Sequence, residues 1–459
     1  MADKTIREAV REYAFQQPPP AYFVEMTIEN FRCFGPKQTL KLGDKNGVPY
    51  QWTVLVGENG SGKTTLLQLL ALLKPTAHRT LSSNQVISTP LLYSKILDEE
   101  WSFRPRDLGV KAEAHCWLRV GDKMHMIKRG KPDVDFGVEF EASLVGSSYV
   151  PQRLGATQLP ESGFDLACFG YGPYRRAGGQ QRLAFPVEIA GLFSDDAMLA
   201  EPEGWLLQAD YSDKRHGRSN NLSLFGRVEQ ILIDLLPDLD RLIIEDVDGA
   251  TQAVVVADTR FGRRRLNELS LGYQSTLAWA VDLASRLFER HPLSDDPLAE
   301  PAIVLIDEVD LHLHPKWQRQ FFDIVSQTFK NTQFVVTTHS PLVIQAIPDA
   351  NIVLLKAEND YTTIVEDLQY VRSWRVDQIL TSDLFDLPTA RPPHLDLPLQ
   401  ERARILSKPQ LSQRDRARLK QLDRNMSLLP GGESRDDLEA MEVIRRAAQL
   451  IKNREASGS

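Results

Sequence analysis

Nine residues limit what this chain can fold into more than any others: GENGSGKTT, Gly57–Thr65, which follows the apolar run QWTVLVG and leads into KTTLLQLLALL. The first run has the continuous apolar character of a buried strand, and the second has helical spacing. Strand, glycine-rich turn and helix in that order are the context in which G-x-x-x-x-G-K-[ST] reads as a P-loop. Gly57, Gly60 and Gly62 let backbone N–H groups converge on a β-phosphate, and Asn59, Ser61 and Thr65 belong to the same cradle. Lys63 is placed to neutralise β- and γ-oxygens, and the Thr64 hydroxyl to ligate Mg2+. ATP and Mg2+ are therefore the expected cofactors.

A P-loop needs acids, and PAIVLIDE delivers Asp307 and Glu308 at the C-terminal end of a second buried-type strand, where open α/β sheets bind ligands. Asp307 is the expected member of the Mg2+ shell and Glu308 the expected general base. A third run, TQFVVTTHS, ends at His339, where a γ-phosphate sensor would sit. RLIIEDV and QAVVVAD are also read as strands, and strands alternating with helices imply an α/β fold with a mostly parallel central sheet.

Composition adds exclusions. No apolar run approaches the ~18 residues that span a bilayer, and the polar start has no signal-peptide core, so a cytoplasmic chain without a membrane partner is expected. Cys33, Cys116 and Cys168 lie too far apart for a metal-binding spacing or a disulfide framework. A net charge of −8 argues against a general nucleic-acid surface and leaves room only for a local patch. RFGRRRLNE offers one: Arg260, Arg263, Arg264 and Arg265 form either a solvated hairpin face or contacts to phosphate of nucleotide or DNA.

Along the chain, residues 1–21 read as an N-terminal extension, 22–372 as the main domain with a mixed α/β insertion at about 75–240, and 373–459 as a helical region. Two helix starts, Ser412 with Asp415 and Ser434 with Asp437, flank a Pro-Gly-Gly turn and predict a helical hairpin, either packed on itself or offering a docking face. His312 and His314 alternate in LHLHP but lack the further ligands a metal site needs.

The order P-loop, LSLGYQ, DE, histidine resembles that of the ABC-type ATPases. LSLGYQ is similar to their LSGGQ signature, with Leu271 in place of the first glycine and Tyr273 before Gln274. These departures, with VEMTIENFRCF and DEVDLHLHP, resemble the SMC, RecF and OLD-like branch. The implied fold is an ABC-type ATPase head carrying the insertion and the C-terminal helical hairpin. In such proteins the signature serine and glycine reach the γ-phosphate on another subunit, so the resemblance implies that Ser270 and Gly272 complete a neighbour's site in a homodimer or higher even oligomer. It also implies Arg32 near the nucleotide, and Asp310, Leu311 and His312 as the loop coupling two sites. FGYGPYRR ends a plausible strand, and the glutamine loop is not placed.

Over its whole length, including SWRVDQILTSDLFDLP, the chain is similar to the PtuA family, the ATPases of Septu-type and retron-associated anti-phage systems. That resemblance implies control of a separate HNH endonuclease (PtuB-like), with direct DNA contact a further reading and no nuclease in this chain. The alternatives are the ATPase of a PARIS-type system, which controls a Toprim effector, and a RecF-like repair ATPase.

Overall fold

The computed structural model describes residues 21–73, 166–178, 186–217, 223–246, 253–347, 349–358, 360–387, 390, 394, 396–408 and 410–426, and the strand backbone of 75–79, 86–90, 112–120, 134–145 and 148–157. The chain divides into two compact units, Met1–Ile379 and Leu380–Ser459. Among the described residues no helix is long and apolar enough to cross a membrane.

A six-stranded sheet organises the first unit, in the order Tyr361–Val365, Asn351–Glu358, Trp52–Gly57, Thr332–Thr337, Ala302–Ile306, Cys168–Tyr171. The first pair is antiparallel and all other neighbours are parallel. WTVLVG, AIVLI and TQFVVT are buried at every position, as strands covered on both faces must be. The P-loop strand Trp52–Gly57, the acid strand Ala302–Ile306 and the histidine strand Thr332–Thr337 are thus neighbours, and their C-terminal ends open on one edge. Another strand ending on that edge, Cys168–Tyr171, lies inside the stretch expected to be an insertion.

A second sheet is antiparallel. Its first strand, Ala21–Glu29, pairs with Gln38–Lys41 on one side and with Ala112–Val120 on the other, so part of the inserted stretch completes a sheet begun at the N-terminal side. Gln333 hangs this layer on the parallel sheet: buried, it accepts from the Phe23 N–H at 2.9 Å and donates to the Phe23 carbonyl at 2.7 Å. Helix Lys63–Leu72 fills the space between the sheets with Leu66, Leu67, Leu69 and Leu70 in a core shared with Phe31 and Phe34.

Two stretches take partners that their sequence does not announce. RLIIEDV and QAVVVAD are strands, Leu239–Asp246 and Ala253–Thr259, but they form a separate antiparallel meander with Gly262–Arg265 rather than extending the parallel sheet. Their short connections permit only antiparallel pairing, since a parallel crossover needs about a dozen residues. In the second unit, helix Gln413–Met426 starts where Ser412 bonds Asp415, as expected, and its described partner is the preceding helix Asp396–Leu406, which begins within the proline-rich run LPTARPPHLDLP. Pro398 falls in the first turn, where a missing N–H costs the helix nothing. Arg402–Asp423 and Arg418–Glu401 ion pairs join the two helices. The helix expected from Ser434, like residues 1–20 of the N-terminal extension, lies outside the described residues.

Candidate functional site

The P-loop turn is built by strand and helix acting together. The chain leaves Trp52–Gly57, crosses Gly60 and enters helix Lys63–Leu72 through Gly62, which takes the left-handed φ of 94° at the N-cap. A side chain at Gly62 would also collide with the Cys33 sulfur, 2.5 Å from where its Cβ would lie, and with the Phe34 ring. The N-terminal NFRCF element therefore packs directly under the phosphate loop. Arg32, itself left-handed, reaches from that element to helix Lys63–Leu72, donating to Gln68 Oε1 at 3.1 Å and Thr65 Oγ1 at 3.4 Å.

Lys63 is buried and donates to the carbonyls of Gly57 and Glu58, both at 2.8 Å. Burial lowers its pKa, while Asp307 and Glu308 pull it back up, so the ammonium stays charged among acids. Asp307 is held at both oxygens: Thr64 Oγ1 donates to one at 2.6 Å and Thr337 Oγ1 to the other at 2.5 Å. That chain of bonds joins the P-loop helix to the ends of the acid and histidine strands. Thr337 is bifunctional, since its hydroxyl oxygen also accepts from the Glu308 N–H at 2.7 Å. Glu308 has the left-handed φ of 49°, unusual for a glutamate, and turns the chain out of the strand.

His339 lies exposed at the same sheet edge. Its pKa is lowered by the surrounding protein and by the Lys63 ammonium, against the opposing pull of Glu308, Asp310 and Asp307, so the ring is neutral at pH 7. The flanking residues belong to the scaffold: Thr338 donates to Asp310, and Ser340 caps helix Pro341–Ala346.

Ser270 is the N-cap of the 20-residue helix Leu271–Arg290. Its side chain makes no capping bond and is exposed, as is Leu271 beside it. The first N–H groups of a long helix and a free hydroxyl therefore face outward together, a combination suited to an anion. Gly272 is required by a close approach, for a Cβ there would lie 2.5 Å from the His312 carbonyl oxygen. The signature and the loop after the acids thus touch within one chain. His314 caps helix Pro315–Thr328, its Nδ1 accepting from the Lys316 N–H at 3.2 Å. Of the arginine cluster, Arg260 pairs with Asp238 and Arg263 with Glu245.

The structure thus brings Lys63, Thr64, Asp307, Glu308 and His339 to one edge, with Asn59, Gly60, Ser61, Gly62 and Thr65 forming the loop and first turn beside them. The buried Ser61 hydroxyl has no hydrogen-bond partner among the described residues, an orphan that a phosphate-bearing ligand could satisfy. Among the described residues no group of three or more His, Cys, Asp or Glu is placed to hold a metal alone, so a cation would have to share phosphate and water ligands. Two residues were missed from sequence. Thr337 was visible only as one of two threonines in VVTTHS, and Arg175, in FGYGPYRR, donates to the Glu308 carbonyl at 2.5 Å.

Comparison with known proteins finds ATPase domains and relatives. The family model described as an AAA ATPase domain matches residues 22–114, and one described as an AAA domain, putative AbiEii toxin, Type IV TA system, matches 189–345. Septu protein PtuA of Bacillus mycoides is 26% identical over 93% of this chain and 53% of its own length. The Retron Ec83 probable ATPase of Escherichia coli is 39% identical over 30% of this chain and 25% of its own. The chain therefore spans about half or less of the length of these relatives. An SMC head bound to the C-winged helix domain of ScpA covers 76% of the chain and 99% of its own, with 17% identity and a TM-score of 0.42. Sheet order, P-loop, acid strand and the matched ATPase-domain models define a P-loop ATPase. Over most of its length the chain is similar to Septu PtuA.

The contact between Gly272 and the His312 carbonyl gives a direct test. Gly272→Ala should lower ATP turnover at least about tenfold by displacing signature or loop, while nucleotide affinity changes less than about threefold because the P-loop is untouched. Steady-state phosphate release and fluorescent-nucleotide titration measure the two; parent turnover would mean that the close approach does not constrain the site.

Proposed function

We propose that this chain is the ATP-driven subunit of an anti-phage defence assembly, in which two copies close on ATP and control a separate HNH endonuclease. The observation carrying the chemical half is the Thr64–Asp307–Thr337 chain of hydrogen bonds beside Glu308. The defence half rests on the PtuA similarity.

In this reading Lys63 exchanges the Gly57 and Glu58 carbonyls for β- and γ-phosphate oxygens, and Thr64 with Asp307 holds Mg2+. The cation supplies neutralisation of phosphate charge when bound. Glu308 takes the proton of the attacking water, and the neutral His339 ring donates to the γ-phosphate. Arg32 borders the nucleotide from below the loop. Ser270 and Gly272 of a second copy close the site from the other side, which accounts for a serine cap left free on an exposed helix start.

Residues 373–459 are the proposed region for oligomerisation or partner docking. Full-length protein should co-purify with an HNH endonuclease encoded beside it, and a chain lacking residues 400–459 should keep ATP binding while losing that partner or higher assembly. A truncated chain that elutes at the parent size with its partner would remove this assignment, and a Toprim effector in the neighbouring gene would favour the PARIS-type alternative.

For the chemistry, Glu308→Gln should retain ATP binding and lose at least about a hundredfold in hydrolysis, whereas Lys63→Ala should lose both. A glutamine variant turning over at the parent rate would remove Glu308 as base.

For the two-copy site, Lys63→Ala and Ser270→Arg chains, each inactive alone, should regain activity on mixing, because the hybrid pair contains one intact site and one doubly damaged one. Hybrid dimers proven by mass spectrometry yet without activity would refute completion between copies.

A further inference from the structure

The FGYGPYRR stretch matches no expected role, yet it ends beside the proposed base. Its strand, Cys168–Tyr171, runs parallel to the acid strand with Tyr171 opposite Ile306, and the Asp307 N–H donates to the Tyr171 carbonyl at 2.8 Å. Tyr171 is also tied to the signature helix. Its buried phenol donates to Asp282 Oδ2 at 2.9 Å, and Asp282 in turn accepts from Arg286 and from the Ala200 N–H. Burial and the Asp282 charge hold that phenol protonated, so it is a permanent donor.

Four residues on, Arg175 Nη2 donates to the Glu308 carbonyl, which also takes the Leu311 N–H at 3.1 Å. With the Glu308 N–H bound to Thr337, the peptide groups on both sides of this left-handed glutamate are held. An arginine packed into protein ordinarily takes a carboxylate in a two-pronged pair. Arg175 forms no ion pair among the described residues, and its bond goes instead to the backbone of the proposed base. Burial brings its pKa down to about 10, against the pull of Asp310, Asp307 and Glu308, so it remains charged at neutral pH. It also lines a cavity with Ser275, Thr276 and Trp279 of the signature helix and with Val309 and Leu311 after the acids.

We propose that Arg175 is a positioning residue for ATP hydrolysis: it fixes the left-handed Glu308 peptide, and so the aim of the Glu308 carboxylate, from a strand end anchored to the signature helix through Tyr171 and Asp282. The inference rests on Glu308 being the base. It adds a residue that touches neither nucleotide nor water and acts through the peptide of one that does.

The test uses the full chain. Arg175→Met keeps an apolar stem and removes every donor, and it should lower kcat about tenfold or more while nucleotide Kd stays within about twofold. Arg175→Lys should recover part of the rate, because an ammonium can still donate to the carbonyl. In a Glu308→Gln background Arg175→Met should cost nothing further, a non-additivity that a general packing defect would not produce. If Arg175→Met fails to fold, Arg175→Gln is read by the same kcat and Kd criteria. The proposal is overturned by a kcat within twofold of the parent, by kcat and affinity falling together, or by full losses that add in the double variant. Parent-rate turnover by Glu308→Gln would remove the base assignment and this inference with it. An inactive Glu308→Gln beside a fully active Arg175→Met would sink the inference alone.

Discussion

Everything at the site depends on the Asp307 carboxylate being bonded at both oxygens. A buried carboxylate at a strand end is costly unless its lone pairs are satisfied and a positive charge is near. Thr64 and Thr337 supply the bonds, one from the P-loop helix and one from the histidine strand, and Lys63, beside Thr64 in that helix, supplies the charge. The cost of burying Lys63 is offset by the same acids, so ammonium and carboxylate justify each other's position. This compensation requires the P-loop, acid and histidine strands to be neighbours in register, which the parallel pairing of Val335 with Thr53 and Leu305 provides.

Two close approaches extend that constraint outward. At Gly62 the missing side chain admits Cys33 and Phe34, which makes the N-terminal turn part of the phosphate loop's support, and Cys33 donates through its sulfur to the Ser61 carbonyl at 3.7 Å. At Gly272 the missing side chain admits the His312 carbonyl, which makes the loop after the acids part of the signature's support. Both glycines are demanded by neighbours far away in sequence. Gly62 also needs its positive φ, whereas Gly272 needs only the space.

Sequence alone reveals the parts whose chemistry is carried by local order: a strand, nine residues and a helix for the phosphate loop, and buried strands ending in Asp307–Glu308 and at His339. It conceals what depends on strand neighbours. Thr337 matters because its strand lies beside Ala302–Ile306, and Arg175 because Cys168–Tyr171 lies on the other side; no spacing in the chain announces either contact. Strands Leu239–Asp246 and Ala253–Thr259 are legible as strands while their pairing is not, because an apolar run fixes conformation more firmly than pairing. Helix Asp396–Leu406 was hidden by its prolines, which read as linker although the one inside the helix occupies its permissive first turn.

The signature helix is the element in which these constraints meet. Near its start Gly272 abuts the loop after Glu308, and Tyr273 donates to Asp238 at 2.7 Å while its ring meets Trp317 edge-on. Three turns further, Asp282 grips the strand whose end leads to Arg175. Ser270 and Leu271, at the tip, are exposed, while most of the helix from Thr276 to Phe288 is buried. A helix so fixed transmits displacement rather than absorbing it, because a close-packed interior yields little under load. Two chains of contacts therefore lead from this helix to Glu308, one through the His312 loop and one through Asp282, Tyr171 and Arg175.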